Sequence, residues 1–319
     1  MKNNLIFAYL IHLSYHMWED ENTPARNKYE KPRYCENNNV DIAVWDRLID
    51  FLSERKYNLL LIDIGDGIKF ESHPEISAPD AWEKDFMKQK LAEIRANGMV
   101  PIPKLNFSCC HHTWLKEYRR MVSTPVYYKV CTDLIKEVCE LFDYPEFIHL
   151  GMDEENALYQ KYRECAHIRQ GELLWHDMYF YFKEAEKHGA RPWIWSDYCW
   201  SQQEEFLKRM PKSVLQSNWY YGFFDDNPTV NARIMIDTYE LLDKHGFEQI
   251  PTCSCWDNTG ARNVFQTLTY GKDKLSEGLL RGYMVAPWGY TTGEREYQLK
   301  HDGHTLYCAR QEIYQETLL

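Results

Sequence analysis

Eight short apolar runs alternate with helical patterns along the 319 residues, and this alternation constrains the fold more than any single motif does. The runs cover residues 5–13, 58–64, 99–105, 147–150, 192–196, 214–218, 249–254 and 282–286. Between them, helices are predicted near 41–56, 82–97, 125–142, 171–188, 202–210, 229–245 and 263–270, with a last one within 304–316. Repeated βα units specify a parallel sheet with helices outside it. Eight such units predict an α/β fold, a single (β/α)8 TIM barrel over residues 1–319, rather than an open doubly wound sheet. Asn97-Gly98, His188-Gly189 and His245-Gly246 stand where helices are expected to stop. No Gly-x-Gly-x-x-Gly follows the first run, and no Gly-x-x-x-x-Gly-Lys-[Ser/Thr] occurs, so a dinucleotide or P-loop fold lacks its main support.

In barrels of this kind, catalytic groups sit at the carboxyl ends of the strands. The fourth run, Phe147-Ile148-His149-Leu150, passes through Gly151-Met152 into Asp153-Glu154-Glu155. Charges clustered at the end of a buried strand are expensive unless they face a polar cavity or solvent. Asp153 and Glu154 are therefore expected to form an acid/base pair, with Glu155 facing solvent. Adjacent strand residues point to opposite faces, so the two can converge only because the strand ends there. The blander alternative is an acidic helix start, favourable to the helix dipole.

The other strand ends carry polar and aromatic residues. They include His12 and His16 on the first, Asp63 and Asp66 on the second, and Lys104, Asn106, His111 and His112 on the third. Trp195 and Asp197 follow on the fifth, Trp219 and Tyr220 on the sixth, Trp256 and Asp257 on the seventh, and Trp288 on the eighth. Aromatic walls around a few polar groups describe a sugar pocket. The candidate substrate-binding set is His149, Asp63, Asp66, Asn106, Trp195, Asp197, Trp219, Tyr220, Trp256 and Trp288.

His149-x-Gly151-x-Asp153-Glu154 resembles the His-x-Gly-Gly-Asp-Glu signature of glycoside hydrolase family 20, the β-N-acetylhexosaminidases, at the strand where that family carries it. Tyr57-Asn58-Leu59-Leu60-Leu61-Ile62-Asp63 is similar to the family's second strand. Met152 stands in place of the second glycine, no early arginine is evident in 5–18, and the strand-eight Trp-x-Glu reads Trp288-Gly289-Tyr290. The resemblance implies a retaining, substrate-assisted reaction on N-acetylated amino sugars. Glu154 would be the general acid/base and Asp153 would orient the 2-acetamido group. Tyr220 would hydrogen-bond the acetamido oxygen, and Trp195, Trp219 and Trp288 would wall the sugar. His149 would support the acid from within the barrel, and Asp63 and Asp66 would bind hydroxyls. No cofactor or metal is implied.

Two rival functions share the barrel. One is a metal-dependent hydrolase drawing ligands from His12, His16, His111, His112 and Asp153, since imidazole and carboxylate suit zinc. The other is a carbohydrate-binding barrel that has lost turnover. A net charge of −11 argues against nucleic acid and anionic membranes as partners. The expected partner is a carbohydrate substrate, and the oligomeric state is left open. The ten cysteines match no zinc-ribbon or disulfide spacing, which points to reduced thiols and a cytoplasmic location.

Overall fold

The computed structural model describes residues 5–20, 34–161, 163–225, 227–256 and 259–315. Its eight strands are β1 (Ile6–His12), β2 (Leu59–Asp63), β3 (Val100–Lys104), β4 (Phe147–His149), β5 (Arg191–Trp195), β6 (Leu215–Ser217), β7 (Thr252–Cys253) and β8 (Gly282–Val285). The helices are α1 (Ile42–Glu54), α2 (Lys84–Ala96), α3 (Pro125–Leu141), α4 (Ala157–Gln160), α5 (Gly171–Lys187), α6 (Tyr198–Ser201), α7 (Gln203–Arg209), α8 (Val230–Lys244), α9 (Gly260–Lys274) and α10 (Glu296–Tyr314). A 3-10 turn, Thr113–Met121, precedes α3. No described helix is long and apolar enough to cross a membrane.

All strand pairs are parallel, in the order β6-β5-β4-β3-β2-β1-β8-β7. Single bridges, Gln216 to Gln249 and Trp219 to Thr252, join the remaining seam and close the barrel. The expected (β/α)8 architecture is therefore the one found. The strands end within a few residues of the expected limits. The seventh differs most: only Thr252 and Cys253 form a ladder, because Gln249 makes isolated bridges instead.

Alternation along each strand builds two cores. Ala8, Leu10, Leu59, Leu61, Ile102, Phe147, Trp193, Trp195, Leu215, Ile250, Met284 and Ala286 pack inside the barrel. Their neighbours, such as Tyr9, Ile11, Leu60, Ile62 and Ile194, pack outward against the helices. This is the period-2 geometry of a strand read on a closed sheet. Helix starts are capped where the sequence offers a short oxygen: Asp41 accepts from the N–H of Ala43 and Val44, and Thr124 accepts from that of Tyr127.

The same alternation decides what lies beneath the mouth of the barrel. Continuing inward from Leu10, Leu61, Ile102 and Phe147 come His12, Asp63, Lys104 and His149. Asp63 accepts a hydrogen bond from Lys104 Nζ, with both side chains almost wholly buried. His12 Nε2 stands 4.0 Å from the same carboxylate. Trp193 Nε1 donates to Ser217 Oγ at 2.8 Å. The apolar core thus ends in a polar layer, and the candidate site stands on it.

Candidate active site

β4 ends at His149, and the chain then turns sharply. Gly151 and Met152 have φ values of 73° and 72°, and Glu154 has 57°. A Cβ at Gly151 would stand 1.9 Å from Asn106 Oδ1, so only glycine fits there. Left-handed backbone is uncommon for Met and Glu and marks a segment held by its surroundings. These turns break the strand's alternation, and two consecutive carboxylates now face one point. His111 Nε2 lies 3.2 Å from Asp153 Oδ2 and 3.2 Å from Glu154 Oε2.

The pair is anchored from several elements. Asp153 Oδ1 accepts from Asn106 Nδ2 at 2.9 Å, and its carbonyl accepts from Ser108 Oγ. The backbone N–H of Glu154 donates to Asp197 Oδ2 at 2.8 Å. Trp219 Nε1 lies 3.4 Å from Asp197 Oδ1. Trp195, Trp288 and Trp18 line the approach: the ring centroids of Trp195 and Trp288 are 6.1 Å apart, and those of Trp18 and His111 are 4.7 Å apart.

Charge and burial set three unusual protonation states. Burial opposes a charged His111, but Asp153 and Glu154 outweigh it and raise its pKa to about 9. Burial likewise opposes ionised Asp153, but the His111 cation, Lys104 and the Asn106 amide hold its carboxyl well below the usual range. Asp197 moves the other way. Burial and then the Asp153 charge lift it to about 8.

These shifts fix the sign of a pH dependence. The stability contributed by charged His111 is complete below pH 6.5 and is lost as pH rises through about 9. Asp197 holds its proton up to about pH 8 in the folded chain but only to about 3.8 when unfolded, so stability falls across that window too. Asp153 contributes above 3.8 and is lost only in strong acid. The melting temperature is expected to fall from about pH 6 to about pH 9, less steeply in Asp197→Asn. Calorimetry across that range checks this, and a rising melting temperature would contradict it.

The expected residues divide into those that gather at this point and those that do not. Asp153, Glu154, Asn106, Asp197, Trp195, Trp219 and Trp288 come together. His149 lies just below: its ring is 4.6 Å from that of Trp195, and its Nδ1 accepts from the Gly151 N–H at 3.1 Å. Asp63 is committed to Lys104. Asp66 has no exposed surface; it accepts from Ser14 Oγ at 2.6 Å and Lys116 Nζ at 2.7 Å, and pairs with His16 Nδ1 at 2.9 Å. Both acids tie elements together rather than facing the mouth. For Trp256 the contacts seen are backbone ones: its N–H donates to Ser254 Oγ at 3.0 Å, and its carbonyl accepts from Thr259 Oγ1 at 3.2 Å. Asp257 lies outside the described residues.

Beyond Asp63 and Asp66, two further expectations are corrected. Tyr220 turns away: its hydroxyl donates to the Phe223 carbonyl at 3.2 Å, and its ring packs against Phe224 in the outer core. Tyr221 takes the inward place, and its hydroxyl accepts from Trp288 Nε1 at 3.1 Å. Burial, with the nearby charges of Asp153 and Glu154 among smaller causes, raises its pKa well above the usual phenol value. The physical reason is the one-residue register that sends neighbours to opposite faces. Glu155 does not face solvent. Its side chain is 1% exposed and is gripped by Arg169, and it accepts from the Cys109 N–H at 2.7 Å.

The histidines named as metal ligands disperse. His16 goes to Asp66, His12 packs on Tyr15 and Trp288, and His112 lies near His167, leaving only His111 beside Asp153. The sequence places His111 at a strand end and among the candidate metal ligands, with no pattern that pairs it with two carboxylates. The signal was its place five residues after Asn106, on the loop that faces β4.

Fold and site together define a (β/α)8 barrel with a carboxylate pair at the carboxyl end of its fourth strand and tryptophans around it. No family model matches the chain, and no curated protein matches it in sequence. In structure it is similar to a β-N-acetylhexosaminidase from Bacteroides fragilis, with TM-score 0.62 and 13% identity over 94% of this chain and 65% of that one. It is similar to a GH20 exo β-N-acetylglucosaminidase from Vibrio harveyi, with TM-score 0.64 and 11% identity over 98% of this chain and 57% of the other. Dispersin B gives TM-score 0.60 and 13% identity over 97% and 99% of the two chains. This chain therefore spans less than two thirds of the first two proteins and nearly all of the third. The expected resemblance to glycoside hydrolase family 20 holds at the level of the fold.

Proposed function

We propose that this chain is a retaining, substrate-assisted glycoside hydrolase that acts on β-linked N-acetylated amino sugars. The observation that carries the proposal is the convergence of Asp153 and Glu154 on His111 among Trp195, Trp219, Trp288 and Tyr221. The V. harveyi neighbour was solved with N-acetylglucosamine bound, which supports the choice of sugar.

Glycoside cleavage passes through an oxocarbenium-like transition state, and the leaving oxygen needs a proton. Glu154, at the open side of the pair, gives that proton as the C1–oxygen bond breaks. The acetamido carbonyl oxygen of the substrate bonds to C1 from the other face. Asp153, held ionised by His111 and Asn106, accepts the acetamido N–H and balances the positive oxazolinium charge. Tyr221 accepts from Trp288 and so has its own hydrogen free for the acetamido oxygen. Water then attacks C1 and yields a proton to the Glu154 carboxylate, and the ring opens with retention.

An enzyme nucleophile is disfavoured by the same geometry. Asp197 accepts from the Glu154 N–H at one oxygen and faces Trp219 Nε1 with the other, and Asp63 is locked to Lys104. The deciding assay compares aryl β-N-acetylglucosaminide and N-acetylgalactosaminide with the plain glucoside and galactoside. Turnover of the acetamido sugars alone is expected. Turnover of the plain sugars would replace substrate assistance with an enzyme carboxylate. Binding without any turnover would make this a carbohydrate-binding barrel.

The tyrosine pair gives a sharper check. Tyr221→Phe is expected to lower kcat roughly a hundredfold, the usual effect of losing one preorganised donor. Tyr220→Phe is expected to change it by less than about twofold, because its hydroxyl serves only a loop carbonyl. The reverse order would remove Tyr221 from the mechanism.

A further inference from the structure

A second chemical cluster lies outside the barrel wall, where α10 packs against it. Tyr9 and Tyr57 donate to the carbonyls of Leu299 and Gly303 at 2.9 and 2.8 Å, fixing the helix in place. Between these contacts sits Asp302, 1% exposed. Among the described residues no lysine or arginine pairs with it. Its Oδ1 accepts from Gln298 Nε2 at 2.5 Å and lies 3.4 Å from His301 Nδ1. Apart from His301, which is a cation only when protonated, this buried carboxylate has no cationic partner, and burying such a group is costly. Cys255, 7% exposed and just past β7, points to the same place from the outer core. Ligand atoms of Cys255, His301 and Asp302 lie within 4.8 Å of one another, the only such group of three among the described residues.

We propose that Cys255, His301 and Asp302 bind a zinc ion that ties α10 to the end of β7. Thiolate, imidazole and carboxylate are the ligand types zinc takes, at bond lengths of about 2.0–2.3 Å. Around a tetrahedral ion such donors stand roughly 3.3–3.7 Å apart, so closure needs side-chain movements of about an ångström. One thiolate and one carboxylate neutralise the divalent charge, and water completes the tetrahedron. The His301 side chain is 40% exposed, which gives the ion a path from solvent. The location has a structural consequence. β7, with two residues, is the shortest of the described strands, so a metal there would add a tie between it and α10.

The test uses the whole chain purified without chelator, then reconstituted with zinc or cobalt. One zinc per chain by elemental analysis is expected, and cobalt should give a near-ultraviolet thiolate charge-transfer band. Cys255→Ser should abolish the band, and His301→Gln, a half-exposed change that spares the core, should lose the bound zinc. EDTA should lower the melting temperature of the wild type and leave that of His301→Gln unmoved. A chain that takes up neither metal, or one whose metal survives both substitutions, would overturn the proposal.

Discussion

Glu154→Gln is expected to lower kcat on an aryl β-N-acetylglucosaminide roughly a thousandfold, within the range that positioned acid–base groups supply. The amide is nearly isosteric, so the left-handed turn at Glu154 and its N–H bond to Asp197 should persist. In the proposed mechanism, what goes is the proton for the leaving oxygen and the base for the attacking water. The effect should be smaller for aryl leaving groups of low pKa, because they need less protonation to depart. KM should change little if Glu154 acts mainly in the transition state. A variant with kcat near that of the wild type would remove Glu154 from the acid role and with it the proposed mechanism.

Arg169→Met should have the largest effect on stability. Arg169 is buried between Glu155 and Asp177, and it also donates to the Phe107 carbonyl at 3.0 Å and the Tyr181 hydroxyl at 3.2 Å. Asp177 in turn accepts from Ser123 at 2.6 Å and Tyr128 at 2.5 Å. Removing the cation leaves Glu155 and Asp177 buried without it, which costs about 3–5 kcal/mol. Glu155 follows Glu154 directly, so the loss should also loosen the acid pair and lower kcat. Adding Glu155→Gln to Arg169→Met should recover part of the stability, since the neutral amide no longer needs a cation. Denaturant midpoints of the single and double variants test this. An Arg169→Met chain as stable as the wild type would mean that the clamp contributes nothing.

The helical and strand patterns were legible because each repeats a local period. The ends of α2, α5 and α8 lie where Asn97-Gly98, His188-Gly189 and His245-Gly246 placed them. The acid pair was legible because charges at the end of a buried strand have few places to go. Tyr221 was not legible. On a strand end, one residue of register decides whether a ring faces the mouth or the helices, and the period-2 pattern is already fading there. Met152 shows a related limit. Its φ of 72° explains why a glycine is at home in that position, but its buried side chain keeps the turn without one. The cluster of Cys255, His301 and Asp302 was invisible to spacing rules because β7 and α10 lie far apart in the chain.

By itself the sequence determined the barrel, the strand that carries the carboxylates, and the tryptophans near them, because these follow from periods of 2 and 3.6 residues and from the cost of burying charge. Only the tertiary structure decided which polar residues would meet. It spent Asp63 on Lys104, Asp66 on His16 and Lys116, and Glu155 on Arg169, and it brought His111 to the acid pair. The reason is that a buried charge takes the nearest opposite charge in space, and proximity between separate βα units exists only once the barrel has closed.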